Sequence, residues 1–147
     1  SVLAEVEPDL HETLTKLTEA GLALGIVSNT FVNRASLDRQ LKSLNLLDFF
    51  PMRLYSYELA MRKPDPRVFQ VAAERIGQAP ENIVFVGDRL DMDVRPALAC
   101  GMTAVLKDAY TNADQTPPPE VWRIQQIGEL PALIAQANAK ATQIASA

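Results

Sequence analysis

The apolar positions along the chain follow two patterns that alternate. Over residues 9–20, Leu10, Leu14 and Leu17 recur at helical spacing, after Pro8 near a helix start and before Gly21, where a left-handed residue ends a helix. Leu22 to Val27 then runs almost without polar interruption, as a strand covered on both faces does. Leu37, Leu41 and Leu44 mark a second helix, and Met52 to Tyr55 a short strand. Asp65-Pro66 opens a third helix, whose Val68, Phe69, Ala72 and Ile76 lead to Gly77. Beyond Pro80 come a strand over Ile83 to Val86, a helix near Met92 to Cys100 stopped by Gly101, and a strand over Thr103 to Leu106. Residues 108–120, with prolines at 117–119, form a loop; Val121 to Ile124 reads as an edge strand and Leu130 to Ala137 as a last helix.

Helix and strand alternating at such short intervals predict parallel strands joined by right-handed crossovers. The fold class is α/β, a doubly wound parallel sheet. Residues 1–137 make the core domain, and residues 138–147, alanine-rich and without an apolar stripe, make a frayed tail. With 147 residues, 48% of them apolar, the chain can bury a core without disulfides, and Cys100 is its single cysteine. The 14 basic and 18 acidic residues leave a net charge of -4, with no basic stripe interleaved with aromatics, which argues against nucleic acid as a partner. No apolar run approaches the roughly 18 residues of a membrane helix and no cationic apolar leader opens the chain, so no membrane partner is expected and the cytoplasm is the default location.

In open α/β sheets the working groups lie just past the carboxyl ends of the strands. Three stretches stand there: Ser28-Asn29-Thr30, Arg62-Lys63-Pro64-Asp65-Pro66, and Gly87-Asp88 followed by Asp91 and Asp93. A hydroxyl with backbone donors, one ammonium and several carboxylates around one crevice suit a phosphate held between a divalent cation and a lysine. Each has an ordinary structural reading too. Ser28 to Thr30 are turn formers, Asp65 is a helix cap, and Lys63 would elsewhere be a surface lysine. Lys-Pro between a strand and a helix start nevertheless favours a fixed geometry, a cis bond among the options, that aims the ammonium. Asp88, directly after four apolar residues and a glycine, has little reason to sit there without a cationic neighbour. Asp91 reads equally well as a helix cap, Asp93 as a partner of the helix dipole, His11 as a surface residue and Cys100 as a small buried group.

The order and spacing of these stretches resemble the haloacid dehalogenase (HAD) superfamily of phosphatases and related hydrolases. The strand ending LGIVSNT looks like that family's second motif, RKPDPRVF like its third and VFVGDRLDMDVRPALACGM like its fourth. The resemblance implies that Ser28 and Asn29, with the adjacent amides, bind the transferring phosphoryl oxygens. It implies that Lys63 neutralises charge on nucleophile and substrate, and that Asp88 is a direct Mg2+ ligand with Asp93 in support. Arg89 stands where the family usually has serine, and Pro96 where a small residue is common.

The same resemblance implies a first motif, an apolar strand ending in Asp-x-Asp, which belongs before residue 1 as the central strand between those at 22–27 and 83–86. Asp91-Met92-Asp93 imitates its letters, but sits where a helix should be starting. The family's helical cap also belongs upstream, with Ser1 to Glu7 as its last remnant. The expectation is therefore a HAD-like core lacking its central strand. The resulting gap is filled by an upstream segment or a second chain, or closed by direct pairing of its flanking strands. In a full-length member the implied activity is Mg2+-dependent hydrolysis of a small phosphorylated metabolite through an aspartyl-phosphate. This chain alone is expected to be inactive and to bind Mg2+ weakly or not at all. The alternative is a catalytically dead relative that serves as a binding or interaction module. A phospho-receiver domain orders its residues acid, hydroxyl, lysine, whereas this chain runs hydroxyl, lysine, acid. The Asp88 and Asp93 pair favours a metal-dependent phosphatase over the metal-free dehalogenases.

Overall fold

The structure, a computed structural model, describes residues 7–146, with side chains to residue 138. The proposed cap remnant therefore lies, except for Glu7, outside the described residues. Helix α1 (Leu10–Glu19) buries Leu14 and Leu17. Two bonds close it: Leu22 N–H to the Leu17 carbonyl at 3.2 Å and Gly21 N–H to the Thr18 carbonyl at 3.0 Å, with Gly21 at φ +88°. Because Leu22 is used in this cap, strand β1 (Gly25–Ser28) starts later than the apolar run and reaches one residue further. The same pair of bonds ends α2 (Arg34–Ser43) at Asn45, with Leu46 N–H on the Leu41 carbonyl.

Strand β2 (Met52–Tyr55) has the bounds its sequence predicts, and a one-turn helix α3 (Ser56–Leu59) follows it. Helix α4 (Pro66–Ile76) is capped by Asp65, whose carboxylate accepts from Arg67 N–H at 2.9 Å, and ends at Gly77. Strand β3 (Val84–Gly87) leads not directly into an α-helix but into a single π-turn, Leu90–Val94, closed by Val94 N–H on the Arg89 carbonyl at 3.1 Å. Helix α5 is consequently short (Arg95–Ala99). Strand β4 (Thr103–Lys107), edge strand β5 (Trp122–Ile124) and helix α6 (Leu130–Ser146) complete the order. The helix predicted to stop at Ala137 thus continues to Ser146. Among the described residues no helix is long and apolar enough to cross a membrane.

All strand pairs are parallel, but they form two sheets rather than one. β1 pairs with β2, Gly25 opposite Met52 and Ser28 opposite Tyr55, while β3, β4 and β5 pair in that order. Direct pairing of β1 with β3, one of the three expected outcomes, does not occur; each keeps one edge without a strand partner among the described residues. Side chains nevertheless pack across both sheets. On one face Val27 of β1 and Phe85 of β3 join the core of Leu54, Val68, Phe69, Val94, Ala97 and Leu106, with the Phe69 and Phe85 rings 4.9 Å apart. On the other face Ile26 packs with Leu14, Leu17 and Leu41, Val84 and Val86 pack with Val105 and Ile124, and Ile134 of α6 touches both groups. The alternation of Ile26 and Val27, and of Val84 and Phe85, to opposite faces is the two-residue period of strands covered by helices on both sides.

Candidate active site

β1 and β3 end at the same side of the molecule, and a chain of polar contacts joins their ends. Asn29, just past β1, grips the backbone of Lys63 with both halves of its amide: its Nδ2 donates to the Lys63 carbonyl at 2.9 Å and its Oδ1 accepts from Lys63 N–H at 2.8 Å. The Lys63–Pro64 bond that follows is cis. So held, Lys63 sends its ammonium toward β3, 5.7 Å from the centroid of the Phe85 ring, where Nζ donates to Asp93 Oδ1 at 2.5 Å. Asp93 is 3% exposed, and its second oxygen accepts from Arg89 N–H at 3.1 Å. The π-turn makes this possible, because its extra residue brings Asp93 back over the end of β3. Any Cβ at position 87 would collide with the Asp93 side chain, so only glycine fits there.

Of the residues singled out from the sequence, Asn29, Lys63 and Asp93 are therefore brought into one bridge. Asp88 and Ser28 stand beside it, at the ends of β3 and β1. Neither the Ser28 hydroxyl nor the Asp88 carboxylate is hydrogen-bonded to another described residue, and both residues are half-buried, which leaves them available to a ligand. Asp91 is exposed and turned to Arg89 at 3.4 Å, away from the bridge. His11 is exposed too, its Nε2 donating to the Leu44 carbonyl at 2.9 Å.

Two supports were not visible in the sequence. Asn112, fully buried, donates to the Asp88 carbonyl at 2.7 Å and the Lys107 carbonyl at 2.9 Å, while its Oδ1 accepts from Ala109 N–H and from Arg123, each at 3.1 Å. All of its polar capacity is spent on fixing the Asp88 loop against β4. Ser56 does the same for the other side: its hydroxyl accepts from Thr30 N–H at 2.8 Å and donates to the Thr30 carbonyl at 3.1 Å. Behind Ser28, Tyr55 is buried and bonded to Asp38 at 3.0 Å; burial first, and that bond second, push its phenol up to about 12. Arg53, bonded to the same carboxylate, holds Asp38 below its ordinary value.

As a cation site the crevice is incomplete. Magnesium takes a near-octahedral oxygen shell, usually with one or two carboxylates beside phosphate oxygens and water. Asp93 has both oxygens committed to Lys63 and Arg89 N–H, so among the described residues Asp88 is the one carboxylate at the crevice free to ligate. Among the described residues no group of three or more metal-ligating side chains comes together. What the arrangement can do unaided is hold an anion between a hydroxyl and a fixed, neutralised ammonium.

Comparison with known proteins gives the family of the chain. The model of the haloacid dehalogenase-like hydrolase family matches residues 3–107. A glyceraldehyde 3-phosphate phosphatase of Methanopyrus kandleri is 40% identical over 98 residues, which are 67% of this chain and 41% of that protein. Haloacid dehalogenase-like hydrolase domain-containing protein 3 of Danio rerio is 34% identical over 131 residues, 87% of this chain and 52% of its own length. The chain thus spans about half the length of the curated relatives it matches. The crystal structure of a HAD phosphatase from Thermococcus onnurineus superposes with a TM-score of 0.76 at 32% identity, covering 88% of this chain and 58% of that one.

Proposed function

Because the chain belongs to the haloacid dehalogenase-like hydrolases, we propose that it forms the phosphate-holding part of a Mg2+-dependent phosphate monoester hydrolase and that the attacking carboxylate comes from outside these residues. The observation that carries this reading is the slot between β1 and β3. Each offers one edge unpaired among the described residues, and both end at the Asn29–Lys63–Asp93 bridge. A parallel strand lying in that slot would deliver the residue at its carboxyl end to the space beside Ser28, Lys63 and Asp88. An apolar strand ending in Asp-x-Asp would place its first carboxylate there.

In the reaction so assembled, Ser28 and the backbone donors beside it hold the phosphoryl oxygens, with Asn29 fixing the loop. Lys63 faces the charge that collects on those oxygens and on the attacking carboxylate. Asp93 keeps the ammonium in place. The first carboxylate of Asp-x-Asp bonds to phosphorus as the ester oxygen leaves with the proton of the second carboxyl group, which then takes a proton from the water that releases orthophosphate from the acyl phosphate. The relatives named as phosphatases of small phosphorylated metabolites support the substrate class. Magnesium binding by this chain alone is expected to be weak, since Asp88 is, among the described residues, the one carboxylate at the crevice without a partner.

The test is a p-nitrophenyl phosphate assay with Mg2+ on the chain alone and on a form extended upstream by an apolar strand ending in Asp-x-Asp. The expected result is no turnover from the chain alone and turnover from the extended form, abolished by Asp88→Ala. Turnover by the chain alone, lost in Asp88→Ala, would overturn the placement of the nucleophile. A folded but inactive extended form would favour the other reading, a binding module whose open strand edges hold a partner.

A further inference from the structure

Most cations on the loops around the crevice are already spoken for. Lys63 is paired with Asp93, Arg67 with Asp65, Arg89 with Asp91 and Arg34 with Glu58. Arg62, adjacent to Lys63, is exposed and has no carboxylate partner among the described residues. Its guanidinium stands 5.9 Å from the centroid of the Phe31 ring, at the rim of a cavity of about 310 Å3. Asn29, Phe31, Ser56, Tyr57 and Met61 line the same cavity, so it opens directly beside the residue that clamps Lys63.

The walls of this cavity are unusual for a surface with nothing to bind. Phe31 is 86% exposed and Tyr57 60%, two aromatic side chains left largely in water, while Met61 supplies a third apolar surface. The floor is fixed, because the reciprocal Ser56 and Thr30 bonds lock the loop after β1 to the one after β2. Carbon surface on the walls and a lone positive charge at the rim match a ligand with a short carbon skeleton and an anion at its far end.

We infer that Arg62, with Phe31, Tyr57 and Met61, forms a subsite for the part of the substrate that is not transferred: a short carbon chain bearing a second anionic group, carboxylate or phosphate. The subsite rests on the phosphate reading of the neighbouring crevice and narrows it, from phosphate monoesters in general to those whose alcohol is itself an anion. Lys63 faces the transferred phosphoryl group at the neighbouring crevice; Arg62 is the one cation among the residues lining this cavity and stands where the second anion would lie.

Ligand-observed NMR titrations of the 147-residue chain test this with four probes: orthophosphate, glycerol 3-phosphate, 3-phosphoglycerate and propane-1,3-diol bisphosphate. The first ester has a neutral tail and the other two an anionic one. A charge-assisted contact predicts that at least one anionic-tailed ester binds about tenfold tighter than glycerol 3-phosphate, and which one does so names the second anion. Arg62→Ala should erase that preference, Arg62→Lys should keep part of it, and Phe31→Ala should weaken all three esters alike. Equal affinity for neutral and anionic tails, or a preference that survives Arg62→Ala while orthophosphate still binds, would overturn the subsite. Failure of orthophosphate and every ester to bind would instead overturn the phosphate reading, and the subsite with it.

Discussion

Strands β3 and β4 lie side by side in one sheet, yet all four residues of β3 are half-exposed while Ala104, Val105 and Leu106 of β4 are 1% exposed or less. Both carry helices on both faces, so the difference lies at their edges: among the described residues β4 has a strand on either side and β3 on one. Being at a sheet edge does not suffice to explain it. Among the described residues β2 is also paired on one side only, yet its Leu54 and Tyr55 are 1% and 2% exposed: α3 and α4 pack against it, and Arg34 lies over the Tyr55 ring and donates to the Arg53 carbonyl. β1, its neighbour, is exposed or half-exposed throughout. The two strands that face the slot are thus the two left open, and the openness belongs to the space between them.

The largest effect should come from filling that space. A strand of about five apolar residues, each contributing ~1.5 to 3 kcal/mol on burial, would add on the order of 10 kcal/mol, comparable with the whole stability of a domain. Hydrogen exchange followed by mass spectrometry is the direct measurement. In the chain alone, β1 and β3 amides should exchange far faster than those of β4; an upstream strand supplied in the same chain should slow them by at least about a hundredfold. Protection of β1 and β3 equal to that of β4 before any strand is added would erase the contrast.

How much of this was legible in the residues depends on whether a feature is local. Asp65 and Gly77 announce the two ends of α4, and the β2 run carries no competing signal, so those elements appear where their sequences put them. β1 starts later than its apolar run because Leu22, apolar like its successors, is consumed by the α1 cap. The order Ser28, Lys63, Asp88 was readable because strand ends collect the chemistry of an open sheet. The roles of Asn29 and Asp93 were not, since Asn29 spends its amide on the backbone of a residue distant in sequence and Asp93 is turned inward by a π-turn that no spacing announces. Asn112 was least visible of all: a buried amide in a proline-rich loop has no periodicity, and its value lies entirely in partners from two other segments.

The bridge at the mouth of the slot is the next place to probe. The Lys63 and Asp93 side chains are 13% and 5% exposed, so removing either charge strands the other in a poorly hydrated site. Asp93→Ala should destabilise the fold by about 3 to 5 kcal/mol, and the double variant Lys63→Met, Asp93→Ala should recover much of that loss. Urea denaturation midpoints with unchanged slopes would report it. If the single and double variants are equally unstable, the two half-sheets are held by their shared helices alone and the bridge contributes positioning rather than stability.

The finest test compares one substitution in two places. Val86 of β3 and Val105 of β4 face each other in register and pack on the same α6 side, but Val105 is fully buried and Val86 half-exposed. Removing two methyl groups from a closed core forfeits their transfer energy and leaves a cavity, so Val105→Ala should cost about 2 kcal/mol. At Val86 part of that surface is already in water and the open side lets neighbours relax, so Val86→Ala should cost less than ~1 kcal/mol. With the slot filled by a strand, the lateral exposure of β3 disappears, and the cost at Val86 should rise toward that at Val105 while the latter stays unchanged. Equal costs in the chain alone would mean that the exposure of β3 has no energetic counterpart; unequal costs that persist after a strand is added would place its cause on a face of the sheet rather than at the edge.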